Sequence, residues 1–347
     1  MPPTANSLTD EATTETAESA ARHPRRRPIL NRVVLVQTAV IMLLVLIALP
    51  IAFRSMGGEL LAQQQHRLYA FPSGVPVAES VIDDGAVPHS YFNIAAVDLD
   101  EAAGSLTLAI SGHRVCPDTC PTLTLALVSL NEGAHQRRAL PPSAEITLTP
   151  DQDIFTETVT LPLQGHPSLY PFDVYTLWLG LAGSVEANGQ EVPLSQELVL
   201  EHAIITTQNQ VRENTLWPPV AIDPQRVQGL TDPFAFFGVQ QLRFDRPVHM
   251  EILTALLLTL MAISAILAVA MRDIRDLIFG VGSLILAVWG IRSVLIPESL
   301  PVTTSVDMAL SVIILVVLLG LIVRAAWHFA GEGDVGGMPR RWREGRQ

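Results

Sequence analysis

Lysine is absent from this 347-residue chain, so its positive charge rests on arginine alone, and 22 arginines stand against 34 acidic residues. The deficit is concentrated in the middle. Between Arg54 and Val248, 22 acidic side chains face nine arginines, while the whole chain carries a net charge of −12. A segment this acidic repels nucleic acid and anionic lipid, and its plainest reading is a solvated surface that keeps an external domain soluble. Cysteine is nearly absent as well: Cys116 and Cys120 are too few for a disulfide scaffold. No Gly-x-Ser-x-Gly, P-loop or His-Glu-x-x-His occurs, and the nine histidines are scattered singly. The expectation is a protein that is not an enzyme and carries no cofactor.

What the chain has in excess is apolar sequence, 49% of it, gathered into runs about as long as a bilayer is thick. Residues 1–32 are expected to be a disordered cytoplasmic tail ending in the basic cluster Arg22 to Arg32, which the positive-inside rule explains. Val33 to Phe53 carries no charge and is long enough to span. A cleaved signal peptide competes with an uncleaved anchor here, although the apolar core of a signal peptide is normally shorter, roughly 7–15 residues. Arg54 to Val75 reads as a helical stalk from the spacing of Leu60, Leu61, His66, Leu68 and Tyr69. Three more runs follow, Met250–Met271, Leu277–Ile296 and Met308–Phe329. With Arg272, Arg275 and the Arg340–Arg343 cluster inside, every charged loop agrees with one topology. The divisions are 1–32, 33–53 (span), 54–247 (extracytoplasmic), 248–329 (three spans) and 330–347 (tail), with both termini cytoplasmic and the bilayer as the first partner.

After Pro76 the texture becomes short apolar runs broken by Pro, Gly, Asn and Asp. Strands are predicted at Ser90–Asp98, Ser105–Ser111, Leu123–Leu130, Ala144–Leu148, Ile154–Leu161, Val174–Ala182 and Glu197–Thr206, and Leu242–Arg246 reads as a last strand running into the membrane. Strands do not alternate with long helices, which argues against a Rossmann-type domain. The expected fold is an all-β, antiparallel, immunoglobulin-like sandwich outside the membrane plus four transmembrane α-helices, one before it and three after. The segment 208–247, rich in Pro and aromatics, is expected to pack over the membrane-facing end.

Three groups stand out. Tyr170-Pro171-Phe172-Asp173 is the corner leading into the strand at Val174; Pro171 biases Tyr170 toward extended backbone, and Asp173 reads as a buried hydrogen-bonding residue. Arg292 lies at membrane depth, where an ion pair with Glu251 or Asp307 would relieve its charge; snorkelling and an ion or proton path are the other readings. Arg324 lies near the inner end of its span and is expected to snorkel. Cys116-Pro-Asp-Thr-Cys120-Pro121 reads first as a disulfide staple between two strands, with a metal site and an exchange-active redox pair as the alternatives.

That last motif resembles the Cys-Pro-x-x-Cys-Pro motif of thioredoxin-like copper chaperones, over six to ten residues. The resemblance implies two thiolates and a distant histidine holding copper; His113 is near, but Leu123–Leu127 reads as a strand where those proteins need a helix. Over most of 33–329 the chain resembles an uncharacterised, domain-of-unknown-function family of bacterial and fungal membrane proteins. That resemblance rests on a Tyr-Pro-Phe-Asp corner in an external β-domain, one span before and three after, and an Arg…Pro…Pro…Asp pattern that Arg292, Pro297, Pro301 and Asp307 follow. It implies architecture and no established activity. The corner also resembles that of pentameric ligand-gated channels, which place all four spans after the sandwich. The leading reading is a binding, scaffold or sensing module with a membrane or envelope protein as its partner. An envelope copper or thiol-redox accessory protein is the alternative, and a channel-like oligomer the third. The sequence leaves the oligomeric state undetermined.

Overall fold

The computed structural model describes residues 28–61, 67–78, 89–131, 133, 140–187, 189–223, 235–270, 274–296, 300 and 303–333. Contacts divide the chain into Met1–Leu44 and Val45–Gln347, and the architecture below belongs to the second unit apart from the first part of α1. In chain order the elements are α1 (Pro28–Leu61), β1 (Leu68–Ala70), β2 (Pro76–Val77), β3 (Ser90–Asp100), β4 (Ser105–His113), β5 (Leu123–Ser129), β6 (Ser143–Leu148) and β7 (Ile154–Pro162). Then come β8 (Gln164–Gly165), β9 (Val174–Ala187), β10 (Gln190–Pro193), α2 (Gln196–His202), β11 (Ala203–Asn209), β12 (Thr215–Leu216), β13 (Val220–Ile222) and β14 (Phe236–Asp245). Three long helices close the series: α3 (Val248–Ala270), α4 (Ile274–Leu295) and α5 (Ser305–Gly333).

Among the described residues the strands form two facing sheets. One is ordered β2-β1-β11-β3-β4-β7; the other is ordered β12-β14-β9-β5-β6, with β8, β10 and β13 attached at its sides. Alternation does the sorting, since successive side chains of a strand point to opposite faces. Leu106, Leu108 and Leu161 of the first sheet and Leu127, Leu177 and Leu179 of the second turn inward into one fully buried core. Gly165 is demanded by a close approach: it pairs with Tyr175, and a Cβ there would sit 2.1 Å from the tyrosine ring.

Several expectations need correction. Glu197–Thr206 is not one strand: Gln196–His202 is helical, and the strand begins at Ala203. The Ser195 hydroxyl accepts from Leu198 N at 3.3 Å, Glu197 sits in the first turn and His202 in the last, so cap and macrodipole together favour the helix. The sandwich is also not wholly antiparallel, because β11 runs parallel to β3 over Ala203↔Ser90 to Asn209↔Ala96. Such a pairing needs a long connection, and the run from β4 through α2 supplies it. The helical stalk ends at Leu61, and Leu68 and Tyr69 lie in β1, paired with β2 and β11. Segment 208–247 does not simply cover one end: β14 is longer than the predicted Leu242–Arg246 and pairs along β9, with Phe244 opposite Tyr175.

α3, α4 and α5 each contain a stretch long and apolar enough to cross a bilayer: Val248–Val269, Ile278–Leu295 and Ser305–Trp327. The first predicted span, Val33–Phe53, lies within α1, of which Ala39–Ser55 is the described apolar portion. The predicted loop residues Arg272, Pro297 and Pro301, and the 340–347 tail, lie outside the described residues. Met261, Ala265, Leu284, Val288, Leu310 and Val317 pack inward among the three helices, whereas Leu286, Val294 and Leu315 face out, as helices apolar all round require of a lipid surrounding. At Gly320 the backbones approach closely: a Cβ would lie 2.6 Å from a methyl of Val269.

Candidate functional site

The corner residues sit where sandwich meets helices. A 3₁₀ turn, Pro167–Leu169, precedes them, and Tyr170 takes a ψ of 134°, the extended backbone a following proline favours. Its ring is buried in the core of the helical block, and its hydroxyl donates to the Leu295 carbonyl at 2.7 Å. That carbonyl belongs to the last turn of α4, which has no intrahelical donor left, so the tyrosine caps the helix. In return Ser305, the first residue of α5, donates its hydroxyl to the Tyr170 carbonyl at 2.6 Å. Phe172, in contrast, is 48% exposed.

Above the tyrosine lies Arg246, placed in the two-residue link between β14 and α3. Its guanidinium stacks 4.8 Å from the centroid of the Tyr170 ring. It pairs with three carboxylates: Asp173 at 3.4 Å, Glu213 at 3.5 Å and Glu101 in direct contact. Asp173 is 1% exposed. Burial disfavours the guanidinium's charge, but Glu101 and Asp173 outweigh it and hold Arg246 above its ordinary value. Burial also pushes the Glu101 carboxyl up to about 7 against the pull of Arg246, and the neighbouring Asp173 and Glu213 carboxylates add to the rise. Burial, and behind it the Asp173 and Glu101 carboxylates, raises the Tyr175 hydroxyl above its ordinary value. That hydroxyl lies beside Asp173 outside standard hydrogen-bond geometry. One arginine thus joins β3–β4, β9, the segment after β11, and the root of α3.

Of the residues expected to pair in the membrane, Arg292 and Asp307 come together, Nε to Oδ1 at 2.6 Å. Asp307 also accepts from Thr304 N at 3.1 Å and Thr304 Oγ1 at 3.2 Å, while its own N–H donates to Thr304 Oγ1 at 3.3 Å, a reciprocal cap on α5. Glu251, named with them from the sequence, makes no ion pair with Arg292 among the described residues; it stands in the first turn of α3, below Asp245. Arg324 does not simply snorkel. It donates to the Val269 carbonyl at 3.1 Å, in the last turn of α3.

At the other end of the sandwich Cys116 and Cys120 are joined as a disulfide, Cα–Cα 5.3 Å. Paired so, the sulfurs are not thiolates for a metal. His113 is exposed at the end of β4, and no group of three or more His, Cys, Asp or Glu among the described residues is placed to hold a metal ion. Two buried arginines went unread in the sequence, Arg246 and Arg114. Arg246 left one signal: it stands directly against a bilayer-length helix, on the flank that the charge pattern of the other loops leads one to expect outside, where the positive-inside rule puts few arginines.

A β-sandwich over three helices of bilayer length fits a membrane-embedded protein. Over residues 138–206 the chain is similar to a domain of unknown function, DUF4436, a stretch that contains the Tyr170–Asp173 corner but neither Arg246 nor the long helices. A comparison with curated proteins found no match.

Proposed function

We propose that this chain is a non-catalytic binding or sensing module of the cell membrane, with an acidic, immunoglobulin-like domain outside and helices that respond to it. In this reading the protein crosses the bilayer four times, α1 serving as an uncleaved anchor, with both termini cytoplasmic and residues 54–247 extracytoplasmic. The four-span layout is also that of the bacterial and fungal family it resembles. One observation carries the reading: Tyr170 is a core residue of the helical block while Arg246, stacked on it, is bonded to three separate segments of the sandwich. A domain merely displayed on the membrane has no need of such a seam; a domain whose state is passed to its helices does.

The test has two arms. A membrane-impermeant maleimide added to intact cells is expected to label Glu191→Cys in the β-domain, and Arg343→Cys only after permeabilisation; the reverse pattern overturns the topology. Tyr170→Phe removes only the hydroxyl that holds Leu295. Amide exchange at the last turn of α4 is expected to rise and thermal unfolding to split into two transitions. Unchanged exchange and a single unchanged transition would sink the coupling.

A further inference from the structure

At the end of the sandwich remote from the seam, the two sheets do not close on each other. An apolar cavity of about 270 Å³ lies between them, walled by Phe92, Ile94 and Ile205 of the first sheet and Leu125, Leu181 and Phe237 of the second. β3, β5 and β11 contribute their beginnings, through Ser90, Leu123 and Ala203, and β9 contributes Val185 near its end. Leu198 and Val199 bring α2 alongside. The space is partly open to solvent at that end of the sandwich and is lined almost wholly by apolar side chains, as small-molecule clefts are. It stands close to the lower end of small-molecule sites, roughly 300–1,000 Å³.

The cavity has one charged group in its wall, Arg114, which is 5% exposed. Its Nη1 donates to the Thr149 carbonyl at 3.1 Å and its Nη2 to the Pro121 carbonyl. Two of its five N–H groups are thereby used, and no carboxylate lies within ion-pairing distance among the described residues. Burial lowers the guanidinium below its ordinary value, and Asp153, whose backbone carbonyl accepts from Arg114 N at 2.7 Å, opposes this without forming an ion pair. A buried cation without an anion is costly, and an arginine fork suits a carboxylate. The Cys116–Cys120 staple holds the loop that ends at Pro121, and so fixes the carbonyl that orients Arg114.

We propose that this cavity binds a single-chain amphiphile, its hydrocarbon tail between the sheets and its carboxylate head on Arg114. The volume suits one chain, and in a domain this acidic it is the local Arg114 charge, not the overall field, that recommends an anionic head. The proposal deepens the reading of the β-domain as a binding module by naming what it binds.

The test uses the full chain in nanodiscs and dodecanoate labelled with ¹³C at its carboxyl. A saturable, one-to-one carboxyl resonance absent from empty nanodiscs is expected. Dodecanol is expected to compete about tenfold or more less well, since a hydrogen bond to a charged group carries that much. Arg114→Gln is expected to weaken binding similarly, while Arg114→Lys keeps a larger share because the charge remains. If no such resonance appears, the proposal is overturned, while the topology and seam experiments stand apart from it. If dodecanol competes as well as dodecanoate, or Arg114→Gln binds like the parent, the carboxylate assignment is overturned and the β-domain remains a binding module for a neutral apolar ligand. The dodecanol comparison needs no variant, so a folding defect at Arg114 leaves the test intact.

Discussion

Asp173 and Phe172 are neighbours in the same corner, yet they answer to different physics. Asp173 is buried against Arg246, and removing one member of a buried charge pair costs about 3–5 kcal/mol. Asp173→Asn is expected at the lower end, about 3 kcal/mol, because Glu101 and Glu213 still face the arginine. Phe172→Ala, at a half-exposed position, is expected to change the melting temperature of the solubilised chain little. Glu101 gives the hub a pH dependence. Its carboxyl rises from 4.5 to about 7 on folding, so the native state keeps a proton that the unfolded chain loses between those values. The resulting stability is complete below about pH 4.5 and is lost as pH rises through about 7. Melting curves from pH 4.5 to 8 should therefore fall less steeply for Glu101→Gln than for the parent; parallel curves would refute the assignment. The corner was legible in the sequence because Pro171 and the alternation after Val174 are local signals. The hub was not, because Arg246 meets Asp173 across 73 positions and Glu101 across 145.

Among elements, α2 shows how a strand prediction fails. Leu198 and Leu200 alternate with Glu197, Val199 and Glu201 over too few residues to fix a period, and the cap at Ser195 decides the outcome. Ser195→Ala is expected to cost about 1 kcal/mol and to lower helical protection there in amide exchange. The strand around Leu106–Leu108 was readable since alternation and burial agree there, while β5 was readable from its alternating leucines although Leu125 to Ser129 are buried on both faces. At the top of α5, Asp307 serves both Arg292 and Thr304, whereas Arg292 is half-exposed. Asp307→Ala should thus lower detergent stability more than Arg292→Leu; the opposite order would mean that the cap contributes little. Gly320→Leu is expected to push α3 and α5 apart at Val269, read as a loss of thermal stability with the β-domain's own spectrum retained.

For the whole molecule, β9 is the element that unites the two ends. It begins at the Asp173 corner and, about 36 Å on at 3.3 Å per residue, reaches Val185 in the cavity wall. Neither end was visible as a site from sequence, since each is assembled from segments on both sides of the sandwich. Membrane helices were visible because hydrocarbon thickness sets a length that no folding detail can disguise.

The sheet order also imposes a timetable on synthesis. β14 lies in the interior of its sheet, between β12 and β9, yet it is the last strand of the domain to leave the ribosome. The sandwich cannot be complete until Asp245 has emerged, and after a two-residue link α3 begins. Completion of the β-domain and insertion of α3 therefore fall due almost together. A chain interrupted at residue 235 would leave β9 with a bare edge from Val174 to Ala182, ready to take up a strand from another copy.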